Sequence, residues 1–413
     1  LRGMRDVAEP EIWLYHHLES TARRLYHASG FKEVRTPLLE STQLFKRGVG
    51  ETTDIVEKEM YTFEDRNGES ISLRPEGTAS IVRALLEHNW INLTPVVKIY
   101  YMGPMFRHER PQKGRFRQHT QFGLEIFGVE GPDADVEIMA TQHFLFQQLG
   151  LKDLTLKVTS IGDQTCRPAF REKLLGILKP RAAELCADCQ KRLDRNPLRV
   201  FDCKNPGCQA IAKTLPTMMD NLCEPCKTHF QGVEQGLKAL KIPYEIDPRV
   251  VRGIDYYTRT SFEFITDRIG AQGTVCGGGR YDLLVKELGG PNVPAVGCGM
   301  GEERLGMLVE SLTESVTPKV QLYCVLPDPT AKDFVKELVY KLRNEGHWVD
   351  FDLQGKSMKS QFKSADRVGA KYALIIGGTE YQKGEALLRN MKDGTQETVP
   401  LSKLENVLKE RLK

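Results

Sequence analysis

Apolar residues near the N-terminus recur with the period of a helix. The run follows Pro10, a residue suited to the first turn of a helix, and Gly30 marks its end. The next segment, residues 31–41, has an extended pattern that contains Pro37, which favours an edge strand or an interface over a central strand. The helical apolar positions are Leu14, Leu18, Ala22 and Leu25.

A hairpin of two strands is predicted further along the chain. Residues 78–88 predict a helix, and residues 96–102 predict a buried strand after it. Residues 120–128 alternate between apolar and polar with a period of two, as expected of a second strand. We expect these strands to pair in antiparallel fashion, with a long basic loop between them at residues 107–117.

The alternation in the second strand divides its residues between two faces. Phe122, Leu124 and Ile126 share one face, which is predicted to be core. Gln121 and Glu125 share the other face, so one bound molecule could span both side chains. The alternative is that both are surface residues of a half-exposed strand.

The pattern changes between about residues 165 and 248, where cysteines and prolines interrupt helical segments. We interpret this region as an insertion, because a strand pattern resumes at residues 261–266 and continues through residues 276–282. Pro318 marks a boundary, and the alternation of strand and helix beyond it predicts a small α/β domain. Its segments are strand 320–326, helix 331–345, strand 348–352, helix 359–368 and strand 372–377.

The composition is that of an ordinary globular chain, with 413 residues, 40% hydrophobic and 27% charged. No apolar run approaches the roughly 20 residues that span a bilayer, and the N-terminal stretch lacks the order of a signal peptide. Cytoplasmic residence is therefore expected. Residues 320–413 hold 16 Lys and Arg against 13 Asp and Glu, which is compatible with a polyanion contact or with a merely solvated surface.

The loop at residues 107–117 has the chemistry of a phosphate site. Its five basic residues stand against one acid, Glu109. Guanidinium groups bond oxyanions in pairs and keep their charge, and Phe116 offers a surface on which a base can stack. A solvated basic hairpin is the alternative. The basic residues are Arg107, Arg110, Lys113, Arg115 and Arg117.

A glycine-rich segment, residues 297–301, precedes a predicted helix that carries Arg304 in its first turn. We expect a glycine-rich turn there, which would let backbone approach a ligand. The segment is not a P-loop, since it lacks the Gly-Lys-Ser/Thr ending, and no dinucleotide-binding glycine pattern follows a first strand.

Six of the ten cysteines lie between Cys186 and Cys226. Cys186 and Cys189 form one Cys-x-x-Cys pair, and Cys223 and Cys226 form another. Such pairs are the usual scaffold of structural zinc, although the 33 residues between them exceed the usual 15 to 20. Free thiols are the alternative. The cysteines outside this region are predicted to be small buried hydrophobic residues; they are Cys166, Cys276, Cys298 and Cys324.

Several of these segments, in this order, carry a resemblance to a known family. The signature motifs of class II aminoacyl-tRNA synthetases are similar to residues 31–41, 107–117 and 297–308. The segments typical of the histidyl-tRNA synthetases are similar to residues 73–78 (LRPEGT), 251–257 (VRGIDYY) and 276–282 (CGGGRYD).

The resemblance implies an α/β protein of two domains. It implies an α+β catalytic domain over residues 1–318, with an antiparallel sheet flanked by helices and the insertion at about 165–248 within it. Residues 319–413 would be an α/β anticodon-binding domain. A homodimer is implied by the first motif, and tRNA(His), ATP and L-histidine are the implied partners.

The implied reaction joins histidine to ATP and then to tRNA, without a covalent enzyme intermediate. Arg107 would contact the α-phosphate of ATP and Arg252 would reach the same phosphate from the opposite side, so these two are the catalytic candidates. Arg304 would bind near the γ-phosphate and Phe116 would stack on adenine. Magnesium would be bound through the β- and γ-phosphates. An ion pair with Asp255 is the structural alternative for Arg252.

For histidine, the resemblance implies contacts to the α-amino group, to the imidazole nitrogens and over the pocket. The α-amino group would contact Glu76, Thr78 and Gln121. The imidazole nitrogens would contact Glu125 and Tyr257, and Tyr281 would close the pocket. Arg110 and Gln112 would touch the acceptor end of tRNA. Two other classes stay open: a histidine-binding regulatory paralogue that charges no tRNA, and a zinc-dependent nucleic-acid-binding protein.

Overall fold

The computed structural model describes residues 1–51, 53–194, 197–201, 203–250, 256–269 and 273–412. The chain divides into two compact units, Leu1–Glu314 and Ser315–Lys413. No helix among the described residues is long and apolar enough to cross a membrane.

The first unit contains two sheets. Its strands are β1 (Lys32–Glu33), β2 (Leu39–Ser41), β3 (Thr62–Glu64), β4 (Ser70–Leu73), β5 (Val97–Phe106), β6 (Gln118–Phe127), β7 (Thr155–Ser160), β8 (Glu245–Ile246), β9 (Thr258–Ile265), β10 (Thr274–Arg280) and β11 (Ala295–Gly301). Eight strands form the large sheet in the order β1-β5-β6-β11-β10-β9-β7-β8, and β2-β4-β3 form a small one. The centre of the large sheet is antiparallel, and a parallel pair, β1 with β5 and β7 with β8, closes each edge.

Helices cover the sheet and fill the insertion. They are α1 (Glu11–Ala28), α2 (Thr42–Val49), α3 (Thr78–Glu87), α4 (Trp90–Leu93), α5 (Asp133–Gln148), α6 (Arg167–Leu178), α7 (Ala187–Arg192), α8 (Pro206–Ala212), α9 (Glu224–Ala239), α10 (Leu284–Glu287), α11 (Glu302–Leu308) and α12 (Thr313–Val316), the last of which crosses the unit boundary. The apolar face of α3, with Ile81, Val82 and Leu85, packs on Val97 and Ile99 of β5.

The local expectations for this unit are largely observed. Helix α1 buries Leu14, Leu18 and Ala22, and β5 and β6 pair in antiparallel register over ten residues each. The expectation for residues 297–301 is wrong, because they form β11, a strand in the middle of the large sheet, and not a turn. Their glycines allow β11 to lie close to the side chains of β6.

The insertion has its own core. Helices α6 to α9 lie between β7 and β8, and their apolar residues form one buried cluster that contains Phe170, Leu174 and Ile211. Four cysteines are buried in the same cluster; they are Cys166, Cys189, Cys208 and Cys226. The helical, cysteine-rich texture of the sequence thus corresponds to a packed helical layer.

The second unit is a five-stranded sheet with helices. Its elements are β12 (Leu322–Val325), α13 (Lys332–Asn344), β13 (Val349–Phe351), α14 (Met358–Arg367), β14 (Tyr372–Ile375), α15 (Gly378–Gln382), β15 (Glu385–Asn390), β16 (Gln396–Pro400) and α16 (Leu401–Arg411). The strand order is β13-β12-β14-β15-β16, parallel among the first three and antiparallel afterwards. The alternation that the sequence predicts ends at β14, so the hairpin β15–β16 and α16 were not anticipated.

A buried charge network joins three parts of the first unit. The guanidinium of Arg280, at the end of β10, donates to Asp135 of α5 at 3.2 Å and to the carbonyls of Val129 and Gly131. His229 of α9 lies 3.3 Å from the same carboxylate. Burial alone would raise the pKa of Asp135, but the Arg280 charge and the His229 hydrogen bond hold this pKa below its usual value.

Replacing Asp135 with alanine should therefore be costly. The change removes one of the two carboxylates that pair with the buried Arg280 charge and leaves only Asp282, at 3.1 Å. We expect a loss of about 3 kcal/mol of unfolding free energy, measured by urea unfolding at pH 7. Because the native pKa is depressed, the contribution is complete above the ordinary aspartate pKa of about 3.9 and is lost as the pH falls through the native value.

Asp133 is the matched control, since it lies exposed in the first turn of the same helix. Asp133→Ala should cost no more than about 1 kcal/mol, the usual contribution of an acid at a helix N-terminus. Equal losses in the two variants would contradict the role given to the buried network.

Candidate active site

The first unit contains a cavity of about 420 Å³ whose wall is formed by segments distant in sequence. It lies among the end of β4 and start of α3, the hairpin of β5 and β6, strands β9 and β10, and the junction of β11 with α11. Seven of the candidate residues line it; they are Glu76, Thr78, Arg107, Phe116, Gln121, Tyr257 and Arg304. Arg252 lies outside the described residues.

Arg107 is fixed at one end of the cavity by its backbone neighbours. Its Nε donates to the carbonyl of Pro75 at 2.7 Å, and its backbone amide donates to the carbonyl of Arg117 at 2.9 Å. The terminal guanidinium nitrogen lies 3.8 Å from Glu109, which also bonds Arg115 at 2.9 Å. The loop after β5 is thus an ordered ion-pair network that presents Arg107 to the cavity.

Arg304 approaches the same end from the first turn of α11. Its Nε donates to the carbonyl of Gly114 at 3.2 Å, and its Nη1 donates to the carbonyl of Thr274. Burial lowers the pKa of Arg304, and the charge of Arg115 acts in the same direction. Arg304 is still a cation at pH 7, and a bound anion would offset the free-energy cost of burying its charge.

His119 lines the cavity near both arginines, and the sequence patterns did not single it out. Burial lowers its pKa to about 3, and the charges of Arg107 and Arg304 contribute to the same shift. The imidazole is therefore neutral at physiological pH. A neutral ring next to two guanidinium groups adds no third positive charge and keeps one nitrogen as a hydrogen-bond acceptor.

Arg5 packs over one face of the Phe116 ring, and it is another residue that the sequence patterns missed. The guanidinium carbon of Arg5 lies 4.9 Å from the centre of the ring, a cation–π distance. Glu11 fixes Arg5 through two hydrogen bonds of 2.8 Å. The ring is thus positioned by residues more than 100 positions earlier in the chain, a contact that only the fold creates.

Gln121 brings an unsatisfied polar atom to the cavity wall. The side-chain amide of Gln121 donates to the hydroxyl of Tyr101 at 3.4 Å, while its oxygen is buried without a hydrogen-bond partner among the described residues. Buried amide oxygens are nearly always bonded, so this oxygen is suited to accept a hydrogen bond from a ligand. Tyr257 lines the same cavity and its side chain is 5% exposed.

Glu76 lines the cavity and also accepts hydrogen bonds from the start of α3. Its carboxylate accepts the backbone amides of Thr78 and Ala79, both at 2.8 Å, and so satisfies the first turn of α3. Burial raises the pKa of Glu76, although these two hydrogen bonds oppose the shift. A cation in the cavity would favour its ionised form.

Glu125 and Tyr281 do not line the cavity and lie behind its wall. Glu125 is fully buried and accepts a hydrogen bond of 2.7 Å from the Thr78 hydroxyl and another from the Tyr281 hydroxyl. Burial raises the pKa of Glu125 well above its usual value. The half-exposed strand proposed as an alternative for Glu125 is therefore wrong, because both faces of β6 are buried from Phe122 onward.

Strand β11 can lie beside this polar face only because it has glycines opposite Glu125 and Gln121. Gly297 pairs with Glu125 and Gly301 pairs with Gln121 in the β6–β11 register. A Cβ on Gly297 would lie 1.6 Å from a carboxylate oxygen of Glu125, and one on Gly299 would lie 2.1 Å from the Gln121 amide nitrogen. The two side chains thus occupy the volume that ordinary residues of β11 would fill.

Arg110 and Gln112 lie at the exposed tip of the loop between β5 and β6 and do not line the cavity. Gln112 forms an isolated bridge with Arg115, and this contact closes the tip. Both residues are therefore accessible to a large partner and remote from the polar end of the cavity.

The cysteines that the sequence grouped as one zinc site are divided between two clusters. Cys186 and Cys189 lie with Cys203 and Cys208, whereas Cys223 and Cys226 lie with Asp163 and Cys166. The sequence could not show this division, because pairing between short motifs is decided by how α6 to α9 pack. Cys166 is buried in the apolar cluster of the insertion, as expected, and its sulfur also contacts Asp163.

Comparison with known proteins gives a consistent result over the whole chain. A sequence model of the family described as Histidyl-tRNA synthetase matches residues 3–305, and one described as Anticodon binding domain matches residues 319–411. The histidine–tRNA ligase of Acetivibrio thermocellus is 46% identical over 412 residues, which cover 99% of this chain and 98% of the relative.

Two further relatives extend the comparison. The histidine–tRNA ligase of Desulfatibacillum aliphaticivorans is 48% identical over 404 residues, covering 98% of this chain and 96% of the relative. Among solved structures, the apo histidyl-tRNA synthetase of S. aureus matches with a TM-score of 0.84 at 35% identity, covering 99% of both chains.

The glycine contacts predict that Gly297→Ala will destabilise the first unit. The added methyl group overlaps both the Glu125 carboxylate and the backbone oxygen of Leu124 at 2.6 Å, and only the first of these can turn. We expect a loss of about 1–3 kcal/mol or more, as for an overpacked core, measured by chemical unfolding.

Gly176→Ala is the control, because Gly176 lies inside α6 and a Cβ there meets nothing within 4 Å. This change should raise stability by up to about 1 kcal/mol through helix propensity. Unchanged stability of Gly297→Ala would show that β6 moves freely, contrary to the packing described.

Proposed function

The chain belongs to the histidyl-tRNA synthetase family and is a histidine–tRNA ligase, and from this premise we propose that the cavity of the first unit is where histidine is activated. The histidine carboxylate attacks the α-phosphate of ATP, which gives histidyl-adenylate and pyrophosphate. The histidyl group then passes to the terminal ribose of tRNA(His).

The observation that carries this proposal is that one cavity wall brings together groups of opposite chemistry. Arg107 and Arg304 line it and are suited to phosphate. Glu76, Thr78 and Gln121 line it as well and are suited to an ammonium group. A zwitterionic amino acid with its amino group at Glu76 and Gln121 would direct its carboxylate toward the arginines.

At the phosphate end, we assign the α-phosphate to Arg107 and the γ-phosphate side to Arg304. Both guanidinium groups are already oriented by backbone carbonyls, so little reorganisation accompanies binding. Phe116 would stack on adenine with the face that Arg5 leaves open, and the fixed Arg5 would keep the ring in place. The neutral His119 avoids competition with these cations for the phosphate oxygens.

Arg252 is proposed to bind the α-phosphate from the side opposite Arg107. This assignment rests on the resemblance of residues 251–257 and on chain connectivity, since Tyr256 and Tyr257, next along the chain, line the cavity. Two cations on one phosphoryl group would stabilise the charge that develops in the transition state.

Magnesium is proposed to arrive with ATP, bound mainly by the β- and γ-phosphates. The residues present fit this role, because the carboxylates of Glu109 and Glu263 lie on the cavity wall and act on Arg304 electrostatically. Magnesium would neutralise phosphate charge, and Glu109 meanwhile keeps Arg107 and Arg115 in position.

For histidine, the unpartnered oxygen of Gln121 and the carboxylate of Glu76 are proposed to accept the α-amino group, together with the Thr78 hydroxyl. Tyr257 and Glu125 are proposed for the imidazole nitrogens. Glu125 already accepts hydrogen bonds from Thr78 and Tyr281, one on each oxygen, and each oxygen keeps a second acceptor site for the ring. Tyr281 is proposed to close the pocket.

For tRNA, we propose contacts in both units. Arg110 and Gln112, exposed at the hairpin tip, would touch the acceptor end. Residues 319–413 would bind the anticodon, and the catalytic domain would span residues 1–318, with the insertion at about 165–248. The identity to full-length ligases decides against the non-charging regulatory paralogue.

A homodimer and cytoplasmic residence are further proposals. The small sheet and the segment before it expose large apolar side chains, with Leu38, Leu39 and Phe63 each 42–47% accessible. Such a patch is typical of a surface that is covered by a partner. None of the ten cysteines forms a disulfide, as expected in a reducing compartment.

Arg107→Ala should lower histidine-dependent ATP–pyrophosphate exchange by about 10²- to 10³-fold, because one contact to the developing charge is lost. Histidine binding, measured by calorimetry, should remain. Arg110→Ala, in the same loop, is the control and should keep normal exchange while slowing transfer to tRNA(His). Normal exchange by Arg107→Ala would contradict the assignment of the phosphate end.

Arg252→Ala should likewise leave histidine binding measurable and abolish most adenylate formation. Arg249→Ala is a suitable control, since Arg249 is exposed and lies three positions earlier. If Arg252→Ala supports near-normal pyrophosphate exchange, the two-arginine arrangement at the α-phosphate is wrong.

A further inference from the structure

The insertion brings together four short ligand pairs. They are Asp163 with Cys166, Cys186 with Cys189, Cys203 with Cys208, and Cys223 with Cys226. In each of the two resulting groups, one donor atom from every member lies within 4.8 Å of all the others. Neither group coincides with the single set that the Cys-x-x-Cys motifs suggested.

The inner group consists of cysteines alone. The sulfurs of Cys186 and Cys203 lie 3.7 Å apart, and the backbone amide of Cys186 donates to the sulfur of Cys208 at 3.2 Å. With zinc–sulfur bonds of about 2.3 Å, two sulfurs on a tetrahedral ion are about 3.8 Å apart. Thirteen residues lie between Cys189 and Cys203, a spacing close to that of known zinc sites.

The outer group has three cysteines and one carboxylate. The sulfurs of Cys166 and Cys226 lie 3.9 Å apart, again near the tetrahedral separation. An oxygen of Asp163 lies 3.5 Å from the Cys166 sulfur and 3.7 Å from the Cys223 sulfur. The backbone amide of Asp163 donates to Cys166 at 3.3 Å, a contact that orients and stabilises a thiolate ligand.

Both groups contain cysteines at the starts of helices. Cys186 and Cys223 are the residues before α7 and α9, while Cys189 and Cys226 lie in the first turns of these helices. Cys166 occupies the equivalent position before α6.

Other chemistries fit less well. A disulfide requires sulfurs about 2.05 Å apart, and every cysteine is a free thiol. An iron–sulfur cluster places inorganic sulfide and several irons between its cysteines, so its ligand sulfurs are farther apart than those around one ion. A single tetrahedral ion in each group matches the separations directly.

We propose that the insertion binds two zinc ions, one held by Cys186, Cys189, Cys203 and Cys208 and the other by Asp163, Cys166, Cys223 and Cys226. The two sites are nested in sequence, because the whole inner group lies between the halves of the outer group. This nesting accounts for the 33 residues between the two Cys-x-x-Cys motifs, which belong to different ions.

The outer ion would also support the catalytic segment, a consequence that rests on the role proposed for Tyr257. The backbone carbonyl of Gly162 accepts the amide of Arg259 at 2.8 Å, and Arg167 donates to the carbonyl of Tyr257 at 2.9 Å. Both contacts come from the segment that carries Asp163 and Cys166. The outer ion would therefore hold the backbone of Tyr257. The helix that carries Cys189 of the inner group instead contacts the cavity wall at Asp54, through Arg192 at 2.9 Å.

The test is the metal content of the full-length chain, purified without chelator under reducing conditions and loaded with zinc. We expect about two zinc ions per chain by elemental analysis. Cys203→Ala and Cys166→Ala should each retain one ion, and Cys324→Ala, a buried cysteine outside both groups, should retain two. A content of one or fewer ions in the unaltered chain would overturn the proposal.

Cobalt provides a measurement that does not depend on the folding of any variant. Added to metal-free protein, Co²⁺ should produce thiolate-to-cobalt charge transfer and the visible bands of tetrahedral sites, which saturate at two equivalents. Saturation at one equivalent, or octahedral spectra, would overturn the two-site assignment. Because neither measurement involves catalysis, failure here is distinguishable from failure of the proposed function.

The connection to Tyr257 has its own readout. Cys166→Ala should raise the KM for histidine several-fold more than Cys203→Ala does, with KM for ATP changed less. Equal KM values for histidine in the two variants would overturn the coupling of the outer ion to the histidine end of the cavity.

Discussion

The structure depends on one steric arrangement, the absence of side chains on β11 where it passes Gln121 and Glu125. A buried strand normally fills the space beside its neighbour with its own side chains. Here the space belongs to two polar groups of β6, and glycine is the residue that leaves it free. The arrangement places an amide and a carboxyl group inside a sheet, where each is held by few partners and is strongly affected by burial.

The electrostatics of the cavity follow from the same burial. Burial raises the pKa of Glu76 and of Glu125, while it lowers the pKa of Arg304 and of His119. Each shift has the direction expected when a charge is removed from water without a full partner. A ligand with an ammonium group near one end and phosphate near the other would supply what both ends lack. The burial of these groups in the folded chain thus favours binding of such a ligand.

The parts that the sequence predicts are those with a local signal. The period of two in β6, the helical period in α1 and the basic loop each arise from neighbouring residues, and the family resemblance supplies the order of segments. Strand β11 alternates Val296, Cys298 and Met300 with glycines, and the sequence alone did not show that these glycines face the side chains of another strand. The contact of Arg5 with Phe116 and the division of the cysteines depend on tertiary packing, for which one sequence has no periodic signal.

The position of β7 and β8 at one edge of the large sheet determines how easily the insertion can gain or lose segments. Strand β8 returns from the insertion to pair with β7 in parallel, with Lys157 opposite Glu245, so the chain re-enters the sheet beside the strand from which it left. Helix α9 is held to the rest of the unit by the contact of His229 with Asp135, whereas α7 and α8 belong to the connection at this edge of the sheet. Closing a connection of twice the length costs only about 0.6 kcal/mol more, so segments around α7 and α8 can be gained or lost in evolution without disturbing the register that aligns β6 with β11.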